Sequence, residues 1–258
     1  MKAKKRFGQH FLENEEIAEN IALAASVPTG KALEVGPGKG VMTKYLRKRE
    51  IDFKVVELDN DMIPILQKTF KGLDIIHADF LKVAYEDIFD GEDFTIIGNF
   101  PYNISTQIIF WMLDYKEHIP ELVGMFQKEV AKRLVSGPGN KDYGVTSVLV
   151  QAYYDGEYLF SVGPGNFSPP PRVQSGVIRL VRKADYSLPC DDQTFKRLVK
   201  LTFSQRRKMI RNTLRSELSA ELLQDDFFRQ RPEELSVEAF IKLTKMITQL
   251  KNEQNESK

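Results

Sequence analysis

A chain of 258 residues has room for one sizeable domain and one small one, and a formal net charge of only +1 gives no whole-protein electrostatic reason to bind a polyanion. The single cysteine, Cys190, excludes an intramolecular disulfide and any zinc cluster built on cysteine pairs; His10, His77 and His118 are too scattered to suggest a metal site. No apolar stretch reaches the roughly 18 residues that span a bilayer, and the amino terminus lacks the apolar core of a signal peptide, so a cytoplasmic protein is expected.

In chain order, a helix is predicted over residues 15–26, then a short apolar strand, Ala32-Leu33-Glu34-Val35, running into Gly36-Pro37-Gly38-Lys39-Gly40 and a helical pattern over 41–49. Further strands are predicted over 53–56, 73–77, 94–97, 121–126, 157–162 and 175–181, alternating at first with helices as a parallel α/β sheet requires. Trp111 reads as a core residue of a helix after the fourth strand. Residues 163–171, rich in glycine and proline, read as an ordered loop over the active site. After Asp185 glycines vanish and apolar residues fall at helical spacing, at Phe195, Leu198, Val199 and Phe203, at Leu214, Leu218 and Leu222, and from Phe240 to Leu250. We therefore expect an α/β sheet domain over 1–183 and a small helical domain over 184–258, with residues 251–258 polar and frayed.

The strand ends carry the chemistry. Glycines at 36 and 38 allow a sharp turn and close backbone approach to a nucleoside, although such turns also serve NAD, FAD and phosphate ligands. The next strand ends on Glu57, which can accept hydrogen bonds from both ribose hydroxyls. Val41 stands where the dinucleotide fingerprint would require glycine or alanine, which favours a mononucleoside. The third strand runs into Asp79, suited to an adenine amino group, and Phe80, suited to line its ring; alone, Asp79 also reads as a helix cap. The fourth delivers Gly98-Asn99-Phe100-Pro101-Tyr102: an amide, a stiff turn and a flat aromatic face, a combination suited to methylating an exocyclic amine of a nucleobase.

These residues, with Lys5-Arg6-Phe7-Gly8-Gln9-His10-Phe11-Leu12, Val56-Glu57-Leu58-Asp59, the continuation Asn103-Ile104-Ser105-Thr106, Phe167-Ser168-Pro169-Pro170-Pro171-Arg172-Val173-Gln174-Ser175 and Phe203-Ser204-Gln205-Arg206-Arg207-Lys208, resemble the KsgA-type ribosomal RNA adenine dimethyltransferases over nearly the whole chain. The resemblance implies a class I, Rossmann-like methyltransferase sheet. It also implies S-adenosylmethionine as cofactor, contacted by His10, Leu12, Gly36, Gly38, Glu57, Asp79, Phe80 and Asn99. The implied substrate is two adjacent adenines near the 3′ end of 16S ribosomal RNA within a preassembled small subunit. His10 stands where the family usually has asparagine, and Phe100 where it has leucine or isoleucine. Nothing in the sequence suggests an obligate dimer.

The N6 lone pair is delocalised into the adenine ring, so the task is to hold the amine in a reactive geometry. The Asn99 side-chain oxygen and the Phe100 carbonyl are expected to accept the two N6 hydrogens, with Pro101 stiffening the turn and Tyr102 and Phe167 sandwiching a flipped base. A second transfer then has one remaining hydrogen to hold. Basic residues run without an acid from Lys196 to Arg215, and Arg206, Arg207, Lys208 and Arg211, on an expected helix, are read as an RNA-binding surface alongside the basic amino terminus Lys2, Lys4, Lys5 and Arg6. Three alternatives stand beside this reading: an NAD-dependent oxidoreductase, which leaves the Asn99 motif unexplained; an Erm-class enzyme acting on large-subunit RNA; and a chiefly noncatalytic ribosome-assembly factor.

Overall fold

The computed structural model describes residues 9–256, so the basic amino-terminal residues Lys2, Lys4, Lys5 and Arg6, the first four residues of the motif that ends at Leu12, and residues 257–258 lie outside the described residues. The elements are β1 (Phe11–Leu12), α1 (Glu15–Ala24), β2 (Lys31–Val35), α2 (Thr43–Leu46), β3 (Asp52–Glu57), α3 (Ile63–Thr69), β4 (Asp74–His77), α4 (Glu86–Phe89), β5 (Thr95–Asn99) and α5 (Ser105–Asp114). They continue with β6 (Glu121–Gln127), α6 (Lys128–Val135), α7 (Val145–Gln151), β7 (Tyr154–Val162), β8 (Phe167–Ser168), β9 (Ser175–Arg182), α8 (Asp192–Phe203), α9 (Ile210–Thr213) and α10 (Val237–Glu256).

The chain divides into two compact units. One comprises the residues up to Lys132 with Asp155–Arg182, and the other Arg133–Tyr154 with Lys183–Lys258. The expected division at residue 183 is therefore amended: the segment 133–154 belongs with the carboxyl-terminal residues. Within that second unit its attachments are specific. The Tyr143 hydroxyl donates to the Leu235 carbonyl at 3.0 Å, and Gly139 N–H to the Glu233 carbonyl at 2.8 Å.

The first unit is built on a seven-stranded sheet of order β4-β3-β2-β5-β6-β9-β7. The pairs β3–β4, β2–β3, β2–β5 and β5–β6 are parallel, and β6–β9 is antiparallel. Chain order thus runs outward from β2 to β3 and β4, then jumps back to β5 on the other side of β2. That reversal opens a crevice at the carboxyl ends of β2 and β5, the place where open α/β sheets bind ligands. Helix α1 starts where the Asn14 side chain accepts the Ile17 N–H at 3.1 Å and buries Ala18, Ile21 and Ala22, a one-turn spacing, in the core. The pattern read as a helix over 41–49 narrows to α2 with turns on either side.

In the second unit, α8 buries Phe195, Leu198, Val199 and Thr202 along one face. The apolar series at 214, 218 and 222 does not form the expected helix: α9 stops at Thr213, and the chain continues through bends and 3-10 turns at Leu222–Gln224, Asp226–Arg229 and Pro232–Glu234. Local side-chain bonds explain the interruption, since Ser219 Oγ accepts the Leu222 N–H at 3.3 Å and the Asp225 carboxylate the Phe227 N–H at 2.8 Å, and such bonds compete with helix continuation. The tail expected to fray is helical instead, with α10 reaching Glu256.

Candidate active site

Four parallel strands deliver their carboxyl ends to one cavity of about 360 Å³, within the usual range for a small-ligand pocket. Its wall includes His10 and Leu12 from β1 and its approach, Gly36 and Gly38 after β2, Glu57 closing β3, Asp79 and Phe80 after β4, and Asn99 to Tyr102 after β5. Gly36 and Gly38 have φ of +70° and +56°, values that side chains other than glycine resist, and the turn carries the backbone into the crevice, where Gly36 faces Pro101.

Glu57 is fixed by that turn. Gly38 N–H donates to one carboxylate oxygen at 3.1 Å and Asp59 N–H to the other at 2.8 Å. Burial pushes its carboxyl above the ordinary range, opposed by these backbone donors. Asp59 is buried and receives Gln9 Nε2 at 2.8 Å, which ties the approach to β1 onto the end of β3. Asp79 fills both roles open to it: its carboxylate accepts the Leu81 N–H at 3.2 Å as the cap of a 3-10 turn, and it lines the cavity. Phe80 is buried and packs on Trp111, ring centroids 4.6 Å apart.

Around the β5 loop the side chains of Asn99, His10 and Tyr102 are each anchored. Asn99 Nδ2 donates to the His10 carbonyl at 3.1 Å, which leaves Oδ1 as the amide's acceptor. His10 Nδ1 lies 2.8 Å from the Pro169 carbonyl, an acceptor, so the proton sits on Nδ1. The rings of His10 and Tyr102 stand 5.4 Å apart at 33°, and Tyr102 Oη shares a hydrogen bond of 2.6 Å with Ser175 Oγ on β9. Phe100 turns its ring into the core against Phe126, so its backbone is what it can offer to the cavity.

Of the two rings expected to sandwich a base, Tyr102 lines the cavity and Phe167 does not. Phe167 is 4% exposed and does not line the cavity; β8 pairs antiparallel with β1, sets Phe167 opposite Leu12, and both join the hydrophobic core. Of the segment expected to be a loop over the site, residues 164–168 form a 3-10 turn at Pro164–Asn166 followed by β8, while Pro169 is irregular and its carbonyl meets His10 at the cavity wall.

A comparison with protein families matches residues 1–249 to the ribosomal RNA adenine dimethylase family. The chain belongs to this family. This ribosomal RNA adenine dimethylase is 49% identical over 251 residues to the ribosomal RNA small subunit methyltransferase A of Flavobacterium johnsoniae, covering 96% of each chain. It is 50% identical over 254 residues to the protein of the same name from Cytophaga hutchinsonii, covering 96% of this chain and 98% of that one. Among solved structures, a dimethyladenosine transferase from Plasmodium falciparum superposes with a TM-score of 0.77 at 22% identity over 93% of this chain and 98% of that one. The 23S rRNA methyltransferase ErmE superposes with a TM-score of 0.71 at 23% identity over 91% and 99%. These structures show that the dimethylase has a class I methyltransferase fold, and the full-length family match sets aside the NAD-dependent reading.

Sequence reasoning gave no part in the site to Gln9, Glu34, Asp59 or Ser175. Glu34 lines the cavity, receives the Thr43 hydroxyl at 2.6 Å, and has its carboxyl pushed by burial up to about 8. An acid inside the otherwise apolar run Ala32 to Val35 was its one visible signal. Ser175 lies 73 residues from Tyr102, and its place at the end of the Phe167–Ser175 stretch that carries the resemblance gives it no role.

The basic run of the second unit does meet acids, from outside the run. Lys196 faces Asp192 at 3.5 Å, Arg197 makes a two-pronged bond to Glu217, and Arg206 pairs with Glu233 at 3.3 Å while donating to the Lys141 carbonyl at 2.5 Å. Arg206, Arg207 and Lys208 lie in the turn after α8 and not on a helix; Arg207 and Lys208 are exposed, and Arg211 on α9 is half-buried. Among the described residues no group of His, Cys, Asp and Glu is placed to hold a metal, and no helix is long and apolar enough to cross a membrane.

Proposed function

We propose that this dimethylase transfers methyl groups from S-adenosylmethionine to N6 of two adjacent adenines near the 3′ end of 16S ribosomal RNA, in a small subunit already partly assembled. The observation that carries the reading is the meeting of Asn99-Phe100-Pro101-Tyr102 with Glu57, Asp79 and the glycine turn around one cavity. The donor set suits the cofactor: a fixed carboxylate for the ribose hydroxyls, a second for the adenine amine, a buried ring beside it, and an open backbone turn for the amino-acid tail. When bound, the cofactor supplies an electrophilic methyl group.

The chain's own residues then have to present the nucleophile. Asn99 Oδ1 and the Phe100 carbonyl accept the two N6 hydrogens, drawing the amine toward a pyramidal geometry with its lone pair aimed into the cavity. No strong general base is needed before attack. The exposed face of Tyr102 stacks on the base, a contact worth about 1–3 kcal/mol, with the His10 ring beside it. Phe167 serves instead as a support for β1. The base leaves its stack or comes from a loop. After one transfer, the remaining N6 hydrogen is held by either acceptor while the methyl group rotates away.

Arg207, Lys208 and Arg211 are the phosphate-facing cations of the second unit in this reading, and Arg206 holds the turn that presents them. The enzyme acts as a monomer in the cytoplasm. The test is transfer from labelled S-adenosylmethionine to small subunits lacking adenine dimethylation, with large subunits in parallel and nucleosides identified by mass spectrometry. Dimethyladenine confined to the small subunit is the expected result. Label in the large subunit points to the Erm-type specificity, and cofactor binding without transfer points to an assembly role.

A further inference from the structure

Two glycines with no conformational need to be glycine lie beneath the catalytic loop. Gly98 on β5 and Gly124 on β6 are register partners in the parallel ladder, and neither has a positive φ. Their role is steric. A Cβ on Gly124 would fall 2.0 Å from Phe100 Cε2, and one on Gly98 would fall 2.6 Å from Phe100 Cε1. Opposite edges of a single ring meet the two missing side chains, so the Phe100 ring lies across both strands in a notch that only paired glycines leave open. Phe126 flanks it with ring centroids 5.0 Å apart, and Phe100 itself is 1% exposed. On the backbone side, Phe100 N–H donates to the Met125 carbonyl at 3.2 Å, one residue beyond the notch.

We propose that the notch formed by Gly98 and Gly124 is a positioning device for methyl transfer: by seating the Phe100 ring it sets the direction of the Phe100 carbonyl and of the adjoining Asn99 amide, the two acceptors of the substrate amine. The inference rests on the functional reading given above. Gly124 acts through Phe100 and touches no ligand. Because Phe100 is followed at once by Pro101, whose φ is fixed, the loop has little freedom to absorb a displaced ring, and the displacement is passed to the Phe100 backbone. The residues that hold the cofactor's nucleoside end in that reading, Glu57 closing β3 and Asp79 after β4, belong to other strand ends and are untouched by such a displacement.

The experiment compares Gly124→Ala, Phe100→Leu, the double variant and Asn99→Ala in single-turnover transfer to small subunits lacking adenine dimethylation, with S-adenosylhomocysteine affinity and thermal unfolding measured on each. Gly124→Ala is expected to lower kcat at least tenfold with cofactor affinity within twofold of wild type and little change in KM, because ground-state binding is spared. Adding Phe100→Leu, which removes the ring from the notch, should recover most of that loss. Wild-type kcat in Gly124→Ala overturns the proposal, as does a folded, cofactor-binding Gly124→Ala protein that Phe100→Leu does not rescue. Should Gly124→Ala fail to fold, the double variant is read against Phe100→Leu alone: equal kcat supports the notch, and a lower kcat in the double variant overturns it. Full activity in Asn99→Ala would instead sink the functional reading, separately from the notch.

Discussion

The hydrogen bond between Tyr102 and Ser175 offers a test of how the stacking face is held. Ser175 is fully buried on β9, and Tyr102 Oη lies 2.6 Å from its hydroxyl. Ser175→Ala removes one partner of a part-buried hydrogen bond made by Tyr102, a half-buried residue that lines the cavity. The loss is therefore that of an ordinary neutral hydrogen bond, about 0.5–1.5 kcal/mol, and not the larger cost of a sealed, unsatisfied group. If the bond serves to orient the ring for the substrate base, that energy falls on kcat/KM for the ribosomal substrate as a loss of roughly 2- to 13-fold. Cofactor affinity stays at the wild-type value, because neither residue adjoins Glu57 or Asp79 in the ladder. Tyr102→Phe deletes the same bond from the other side and keeps the ring, so it should cost a similar factor, whereas Tyr102→Ala loses the stack as well. The decisive quantity is the coupling: the Tyr102→Phe, Ser175→Ala double variant should be no worse than the poorer single variant. Single-turnover transfer rates across the four proteins measure it. Multiplicative losses in the double variant would refute the argument, since two residues acting through one bond cannot lose it twice.

Three further outcomes follow from the geometry. Trp111 is the only tryptophan of the chain and packs on Phe80 in the cavity wall, so its emission should change saturably on titration with S-adenosylhomocysteine, and binding seen by calorimetry without any emission change would contradict the assignment of Phe80 to the cofactor site. Glu34, with a native carboxyl near 8 against an ordinary 4.5, keeps its proton in the folded state to higher pH than in the unfolded one. The stability it supports is thus complete below about pH 4.5 and declines toward pH 8 by about 1.4 kcal/mol per unit; urea unfolding of the cofactor-free protein should show that slope flattened in Glu34→Gln, and parallel slopes would count against it. Arg207→Glu with Lys208→Glu should weaken small-subunit binding and shrink its salt dependence, with thermal stability preserved because both side chains are exposed; Arg206→Glu should also destabilise the second unit by breaking its contacts with Glu233 and Lys141, and unchanged salt dependence in the first variant would remove that turn from the RNA-binding surface.

What could be read from the sequence was what local pattern encodes. A parallel strand buried on both faces is a short apolar run, and the residue that follows it is delivered to the ligand edge; Gly36, Glu57, Asp79 and Asn99 were legible for that reason, and the structure gathers all four around one cavity. The misplacements share a different cause. Nothing near Phe167 in sequence shows that β8 pairs with Leu12, far earlier in the chain, so its burial there is not readable locally. The basic run looked unpaired because Glu217 and Glu233 approach it through tertiary structure, and residues 133–154 join the second unit through contacts such as that of Tyr143 with Leu235.

The glycines separate the two kinds of information most sharply. Gly36 and Gly38 are needed for their own backbone angles, a demand that a turn between strand and helix announces in sequence. Gly98 and Gly124 are needed for the space they leave, and that demand exists only once β5 and β6 are in register and the ring of Phe100 has folded back across them. Phe100 therefore stands at a position where its ring has a structural counterpart on the neighbouring strand. An aromatic residue there without glycine at 124 would have nowhere to lie, and glycine at 124 beneath a smaller side chain would leave a void beside Phe126. The two positions make sense as a pair, in a chain where they stand 24 residues apart.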